Sequence, residues 1–390
     1  MINKELAAEA CVIRWLEGEV DCSARWRSAA GVLPPKRVQV VDDTLTADAA
    51  FRLACEGTAL LWRGDFQNAR QLLQAMARRF DSAQRKPRKA NLKVHAPSEA
   101  FHLYRMAQAQ RARMLGMLLI PFVEDHVIPL RRAPEVRLAC EEVYGLTQTS
   151  YVTSLRELLG LVGAHEWRKK GVEIPALGER IHAHYGVFSP VRGEYVALVA
   201  EAPLPQALQK NSRAYDIGTG TGVLAAVLAK RGVQSIVATD QSEQALACAR
   251  ENASRLGLSR QVEVLKADLF PPGNAALIVC NPPWLPGKPG SPLEHAIYDQ
   301  DSSMLKGFLD GLAAHLFPGG EGWLILSDLA EHLDLRSRVE LLSLFGKAGL
   351  KVLGRQDVRP THPRASDVSD PLYAARAAEV TSLWRLGEKD

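Results

Sequence analysis

Residues 215–232 read YDIGTGTGVLAAVLAKRG. A short apolar strand ends near Asp216, glycines follow at positions 218, 220 and 222, and an alanine-rich helical pattern begins immediately afterwards. Glycine allows the backbone to turn tightly and to approach a ligand closely. The N-terminus of the following helix favours a carboxylate or a phosphate. The stretch therefore predicts a strand–loop–helix unit that binds a ligand.

The rest of the C-terminal half repeats this alternation of strand and helix. Helical patterns separate short β-rich runs, which are RAYDIG (213–218), SIVATD (235–240), VEVLKAD (262–268), ALIVCN (276–281), GWLILSD (322–328), KVLGRQDV (351–358) and EVTSLWRL (379–386). The alternation predicts an α/β fold with a seven-stranded, mostly parallel, Rossmann-like sheet. In such sheets the ligand lies outside the carboxyl ends of the strands, where the polar motifs of this sequence fall.

Two cofactors compete for the glycine-rich loop. Gly220-x-Gly222-x-x-Ala225 matches the permissive form of a dinucleotide fingerprint. Asp216, Gly218, Gly220 and Gly222 match the D/E-x-G-x-G-x-G loop of S-adenosylmethionine (SAM) methyltransferases in full. SAM carries an ammonium and a sulfonium, which an acid before the loop would attract, whereas the same acid would repel a pyrophosphate. The loop therefore favours SAM.

Two further acids end neighbouring strands. Asp240 closes the second strand, where an acid can accept both hydroxyls of a ribose. Asp268 follows the third strand and can accept from the exocyclic amine of adenine, with Leu269 supplying a backbone donor and an apolar wall. A lone aspartate in such a place is often only a helix cap or a solvated group. Its register with the other two acids favours a cofactor contact.

The fourth strand ends on the tetrapeptide Asn281-Pro282-Pro283-Trp284. Two prolines remove two backbone donors and fix φ at both positions, so the strand stops in a rigid turn. The side-chain oxygen of Asn281 and the carbonyl of Pro282 can accept both N–H groups of a planar nitrogen and stabilise charge that develops on it. Trp284 can stack on a flat acceptor. No strong general base adjoins this tetrapeptide in the sequence.

Together DIGTGTG, ATD, ADLF and NPPW resemble, in order and spacing, the class I SAM-dependent N-methyltransferases over roughly residues 185–390. The chain is similar to the HemK-type glutamine methyltransferases, whose resemblance implies a glutamine amide of a translation protein as the acceptor. It departs from that group at Trp284, where tyrosine is usual, and only loosely matches its Pro-Arg-Pro-Glu segment at Pro190, Arg192 and Glu194. YGVFS (185–189) is instead similar to ribosomal RNA guanine-N2 methyltransferases, which implies an exocyclic base amine.

Other interpretations remain open at this level. A small-molecule acceptor is a third possibility. A non-catalytic RNA- or ribosome-binding protein with a vestigial methyltransferase fold is a rival of a different class. The glycine loop is intact, which argues against such a loss of catalytic function. The two cofactor acids and the NPPW motif argue the same way. Residues 285–301 form a long loop predicted to be a substrate lid, with His295, Tyr298 and Asp299 as candidates to face the acceptor.

The N-terminal region has a different residue pattern. Residues 1–185 are predicted to form a mainly helical domain for substrate recognition, and residues 186–390 the methyltransferase domain. Thr46, Asp65 and Ser98 are the expected helix caps, and Pro121 the end of a helix. A basic segment is either a solvated loop or a phosphate contact for RNA, and it contains Arg78, Arg79, Arg85, Lys86, Arg88, Lys89 and Lys93.

Composition sets the broad class. The 390 residues carry a net charge of +4, which permits a polyanionic partner without arguing for one. The six cysteines form neither a CxxC pair nor a Cys/His cluster, so no metal site or disulfide is predicted. The start lacks a signal-peptide pattern and no apolar run is long enough to span a membrane, so a cytoplasmic protein without a membrane partner is expected.

Overall fold

The computed structural model describes residues 11–85, 96–191, 193–290, 292–361 and 367–389. These residues form two compact units, one made of residues 11–85 and 103–166 and the other of residues 96–102 and 167–389. Five residues named in the sequence predictions lie outside the described residues, namely Lys86, Arg88, Lys89, Lys93 and Arg192.

The described residues of the first unit hold a six-stranded sheet in the order β1-β2-β6-β5-β4-β3. Strands β3, β4 and β5 run parallel, whereas β1 pairs with β2 and β5 with β6 in antiparallel fashion. Its strands are β1 (Val12–Glu17), β2 (Val20–Trp26), β3 (Arg37–Val41), β4 (Thr58–Trp62), β5 (Leu118–Phe122) and β6 (Tyr151–Ser154). One apolar cluster on this sheet contains Ile13, Trp26, Ala59, Leu61, Leu119 and Val152.

Helices connect these strands, and two predicted caps are confirmed. The Thr46 side chain accepts from the backbone N–H of Ala49, and Asp65 Oδ1 accepts from Gln67 N at 2.8 Å. The helices are α1 (Ala47–Cys55), α2 (Phe66–Arg85), α3 (Pro97–Leu115), α4 (Arg137–Tyr144) and α5 (Leu155–Lys170).

The predicted mainly helical N-terminal domain is wrong, because the first unit is an α/β structure built on the six-stranded sheet. Pro121 does not end a helix but lies inside β5, opposite Val152 of β6. Tyr151–Ser154, also within the region predicted to be mainly helical, forms β6, and the chain becomes helical only at Leu155. Runs of four or five apolar residues cannot be told from buried helix by periodicity alone, and long-range pairing decided these segments.

The two units divide between Glu166 and Trp167, earlier than the predicted boundary after residue 185. The hairpin of β7 (Val172–Ile174) and β8 (Glu179–Ile181) explains the difference. Its apolar residues Ile174, Leu177 and Ile181 are buried in the core of the second unit. The boundary between the two units is therefore set by packing rather than by a change in the local sequence pattern.

Within the described residues of the second unit, seven strands form one sheet in the order β11-β10-β9-β12-β15-β17-β16, which confirms the predicted architecture. Strands β11, β10, β9, β12 and β15 are parallel, and β17 runs antiparallel to β15 and β16. The strands are β9 (Arg213–Ile217), β10 (Ser235–Asp240), β11 (Val262–Lys266), β12 (Ala275–Cys280), β15 (Leu316–Ser327), β16 (Leu350–Val358) and β17 (Thr381–Glu388). A two-residue parallel bridge joins β13 (Leu285–Pro286) to β14 (Tyr298–Asp299).

Two apolar cores bury this sheet, as expected for parallel strands of continuous hydrophobic sequence. The helices of the second unit are α6 (Glu194–Glu201), α7 (Val223–Lys230), α8 (Glu243–Arg255), α9 (Ser303–His315), α10 (Leu329–His332), α11 (Arg338–Lys347) and α12 (Tyr373–Ala378). Residues of α6, α7 and α8 belong to one core, and residues of α9 and α11 to the other. Every residue of β12 is buried.

Among the described residues, no helix combines the length and the apolar character that crossing a bilayer requires.

Candidate functional site

Strand register brings the predicted motifs to one edge of the sheet. Ile217 of β9 lies opposite Thr239 of β10 on one side and Cys280 of β12 on the other. The residues that follow these strands therefore emerge level with one another. The glycine loop and Asn281 leave adjacent parallel strands at their carboxyl ends, which is where open α/β sheets bind ligands.

The glycine loop adopts the conformation that its sequence requires. Gly218, Gly220 and Gly222 have φ values of 70°, 54° and 80°, in the left-handed region that side chains disfavour. A Cβ at Gly222 would lie 3.3 Å from the Ala249 backbone, so this glycine also allows α7 and α8 to approach. A Cβ at Gly218 would lie 2.5 Å from the Met304 methyl group. The loop is thus packed on both sides.

Asp216 is buried beneath the loop and anchors it. Its Oδ2 accepts from Thr219 Oγ1 at 2.6 Å and from the backbone N–H of Ala225, in α7, at 3.1 Å. Burial raises the pKa of Asp216 to about 6, with the nearby Asp240 carboxylate adding to the shift. An ionised Asp216 is therefore under-stabilised by the protein alone, and a cation nearby would favour it.

Asp240 is half-buried and faces the same loop. Its Oδ2 accepts from Gly220 N at 3.1 Å, and its Oδ1 accepts from Ser242 N at 2.9 Å, beside the start of α8. A carboxylate retains acceptor capacity beyond these two bonds, because each oxygen has two lone-pair sites. The contacts fix the carboxylate at the tip of β10.

The Asp268–Leu269 corner is held by contacts that the sequence did not reveal. Asp268 is exposed, and its Oδ1 accepts from the Gln241 side-chain amide. Leu269 has a φ of 68°, a strained value for a residue with a branched side chain. The buried Thr239 holds this conformation, because its hydroxyl donates to the Leu269 carbonyl at 2.7 Å. The ATD motif therefore contributes its threonine as well as its acid.

The Asn-Pro-Pro-Trp turn closes on itself. The indole Nε1 of Trp284 donates to Asn281 Oδ1 at 2.8 Å. Pro282 is buried, and the partly buried Trp284 ring packs against both apolar cores. Spacing alone predicted a flat surface for stacking. The structure adds a hydrogen bond between the two functional side chains of the motif.

The loop predicted to be a lid is fastened at its base. Leu285 N donates to Ile297 O at 3.1 Å and Gly287 N donates to Asp299 O at 3.2 Å. The buried Asp299 side chain does not serve as an acceptor-facing group, because both its oxygens bind the start of α9. They accept from Ser303 Oγ and Met304 N at 3.0 and 3.1 Å and from Leu305 N at 3.1 Å.

The other two lid candidates differ in their surroundings. His295 is exposed. The Tyr298 ring lies 6.3 Å from the Phe101 ring, centroid to centroid. Met304, which the sequence did not single out, is linked through Asp299 to the base of the loop and covers Gly218. Its position in the first turn of a predicted helix after a long loop was the available signal.

Comparison with known proteins identifies the family. Residues 178–350 match the model of the methyltransferase small domain. The chain is 33% identical over 254 residues to the release factor glutamine methyltransferase of Deinococcus radiodurans, covering 58% of this chain and 88% of that protein. The chain belongs to the release factor glutamine methyltransferase family. This family and the matched methyltransferase domain agree with the prediction, made from the motifs, of a class I SAM-dependent methyltransferase with a Rossmann-like sheet.

Other family members match over shorter stretches. The release factor glutamine methyltransferase of Shewanella oneidensis is 39% identical over 92 residues, which is 23% of this chain and 32% of that protein. The chain therefore spans about a third of that relative's length. A solved structure of a ribosomal protein L11 methylase from Lactobacillus delbrueckii has 18% identity and a TM-score of 0.37, covering 55% of this chain and 87% of that one. That likeness is too weak to support an inference.

Proposed function

We propose that this protein transfers a methyl group from SAM to the side-chain amide nitrogen of a glutamine in a protein of the translation machinery. The observation that carries the proposal is the placement of Asn281 directly after the parallel strand next to β9, level with the start of the glycine loop. Family membership supports a glutamine acceptor. A nucleobase amine or a small molecule is the alternative that the experiment below separates from it.

The residues at this edge fit a cationic cofactor. Asp216, Asp240 and Asp268 place three carboxylates at the ends of three adjacent strands, and the left-handed glycines let the backbone approach closely. In the proposed assignment Asp240 holds the ribose hydroxyls, while Asp268 and the Leu269 backbone hold the adenine. When bound, SAM supplies a methyl group on a sulfonium, an electrophile that needs no further activation by the protein.

The amide nitrogen that receives the methyl group is a poor nucleophile, because its lone pair is delocalised into the carbonyl. Asn281 Oδ1 and the Pro282 carbonyl are proposed to accept its two N–H groups. They orient the nitrogen and stabilise the positive charge that grows on it, and preorganised dipoles of this kind are often the largest contribution to catalysis. The two prolines stiffen the backbone of the turn that carries the Pro282 carbonyl, since φ is locked at each.

A first prediction concerns Asn281→Ala. We expect the turnover number to fall about a hundredfold, because the variant lacks the side-chain oxygen that would accept a hydrogen bond in the transition state. SAM affinity should change little, since Asn281 lies on the acceptor side. The matched control is Asn274→Ala, an exposed position just before the same strand, which should leave both quantities unchanged. An equal loss of SAM binding and turnover would show that Asn281 only maintains the fold.

The acceptor class is tested by tritiated-methyl transfer into an extract of cells that lack the gene. Protease should release the label and ribonuclease should not, and hydrolysis should yield methylated glutamine. Label that is sensitive to ribonuclease would replace the proposal with a nucleobase acceptor. Label that stays in the low-molecular-weight fraction and resists both enzymes would point to a small-molecule acceptor. Failure to bind SAM would favour the non-catalytic rival.

A further inference from the structure

The hydrogen bond inside the Asn-Pro-Pro-Trp turn restricts what Asn281 can do. An amide oxygen has two lone pairs, and the Trp284 indole N–H occupies one of them at 2.8 Å. An indole nitrogen can only donate, so the contact also fixes which end of the Asn281 amide carries the oxygen. One lone pair of this correctly oriented oxygen remains to accept a hydrogen bond from an N–H of the amide to be methylated.

The donor is itself held in place. The Trp284 ring packs against the apolar cores on both sides of the sheet, and Leu285, next in the chain, is buried and paired with Tyr298. Asn281, by contrast, is only half-buried at the end of its strand. A side-chain amide in that setting rotates and exchanges its two ends unless a partner restrains it. Trp284 is the partner that the structure provides.

We propose that Trp284 is a positioning residue that acts through Asn281. It holds the Asn281 side-chain oxygen in the orientation that accepts a hydrogen bond from an N–H of the amide to be methylated. This inference rests on the proposed function and deepens it. It replaces the expectation that Trp284 serves mainly by stacking on the acceptor. One lone pair of Asn281 Oδ1 is already used by Trp284, so this oxygen can accept only one N–H of a primary amide. The second N–H must donate to another oxygen, and the Pro282 carbonyl is adjacent in the chain.

The kinetic test is Trp284→Phe, which keeps a flat apolar ring and removes only the indole donor. The turnover number should fall about five- to tenfold, the effect of losing one orienting hydrogen bond. KM for SAM and for the glutamine acceptor should stay within about twofold, because neither binding surface has lost its apolar ring. A rise in the acceptor KM with an unchanged turnover number would overturn the proposal in favour of stacking.

Trp323→Phe is the matched control. Its indole also donates to a side-chain oxygen, Glu321 Oε2 at 2.9 Å, but inside β15 and outside the proposed site. This variant should lower stability and leave the turnover number per folded molecule unchanged. If both variants reduce turnover alike, Trp284 has only a structural role and the proposal fails. Calorimetry with SAM establishes that each variant is folded.

A spectroscopic readout tests the hydrogen bond without any activity. In protein carrying ¹⁵N-tryptophan, the Trp284 indole N–H should exchange slowly with solvent, and Asn281→Ala should accelerate its exchange about tenfold or more while sparing the Trp323 signal. An indole signal insensitive to Asn281→Ala would overturn the proposal. A wild-type protein that methylates no glutamine amide would instead remove the proposed function, even where the indole signal reports the bond.

Discussion

At the scale of single residues, Asp216 anchors the glycine loop and is also proposed to face the cofactor. It anchors Thr219 and the start of α7 from a fully buried position, and burial raises its pKa to about 6. The protein by itself therefore disfavours the ionised form of Asp216 relative to a free carboxyl group. A cationic ligand beside it would favour ionisation and lower its pKa.

This coupling gives a prediction for pH. A group whose pKa falls on binding releases a proton, so SAM affinity should rise as pH increases through about 6 and level off above it. Below pH 6 the affinity should drop by up to about tenfold per pH unit. Calorimetry from pH 5 to 8 measures this.

Asp216→Asn provides the comparison for that titration. The asparagine cannot ionise, so the step near pH 6 should disappear and the affinity at pH 7.5 should be lower than in the wild type. Ionisation of the cofactor's own amine is common to both proteins and cancels in the comparison. A wild-type profile that overlays the variant's would show that Asp216 anchors the loop without sensing the cofactor.

At the scale of elements, the segment from Trp284 to α9 connects the two proposed halves of the site. The β13–β14 bridge ties the loop at its base, and Asp299 in β14 caps α9 with three accepted hydrogen bonds. The first turn of α9 then places Met304 over Gly218. Acceptor-side and cofactor-side elements therefore share one helix cap.

Asp299→Asn should disturb both halves through this cap. We expect a loss of about 1–2 kcal/mol in the free energy of unfolding, since one accepting oxygen at a helix N-terminus is replaced by a donor. SAM affinity should fall as well, because Met304 no longer sits firmly against the loop. Chemical denaturation and calorimetry measure the two effects.

Asp310→Asn is the matched control, at an exposed position within the helix that Asp299 caps. It should change the free energy of unfolding by no more than about 0.5 kcal/mol and leave SAM affinity unaltered. Equal effects of the two variants would mean that the loss of one negative charge in this region, rather than the loss of the cap, is responsible.

At the scale of the molecule, the described chain has two compact units with separate sheets and separate apolar cores. The residues proposed to hold SAM all belong to the second unit. A ligand that binds only the folded form of one unit stabilises that unit by mass action.

SAM at a hundred times its Kd should therefore stabilise the second unit by about 2.7 kcal/mol and leave the first unit unchanged. Hydrogen exchange measured by mass spectrometry separates the two, with peptides from β9 and β12 reporting one unit and peptides from β4 and β5 the other. Equal protection of both sets would show that the units unfold as one cooperative system.

The sequence predicted the second unit far better than the first. The glycine spacing, the acids at strand ends and the long apolar strands are local patterns, and each maps onto the observed seven-stranded sheet. In the first unit, the short runs at 58–62, 118–122 and 151–154 adjoin helical stretches and carry no distinctive period. Pairing between strands far apart in sequence made them a sheet, and no local signal records that pairing.

The candidate site divides in the same way. Local sequence patterns were enough to predict which residue types stand at the strand ends, because strand–loop–helix units and their glycines obey local backbone rules. The contacts and the burial of those side chains could be read only from the folded chain. It buried Asp216 and raised its pKa, gave Asp299 to a helix cap, and joined Trp284 to Asn281. These outcomes depend on burial and on which donor meets which acceptor, and both arise only when the chain packs.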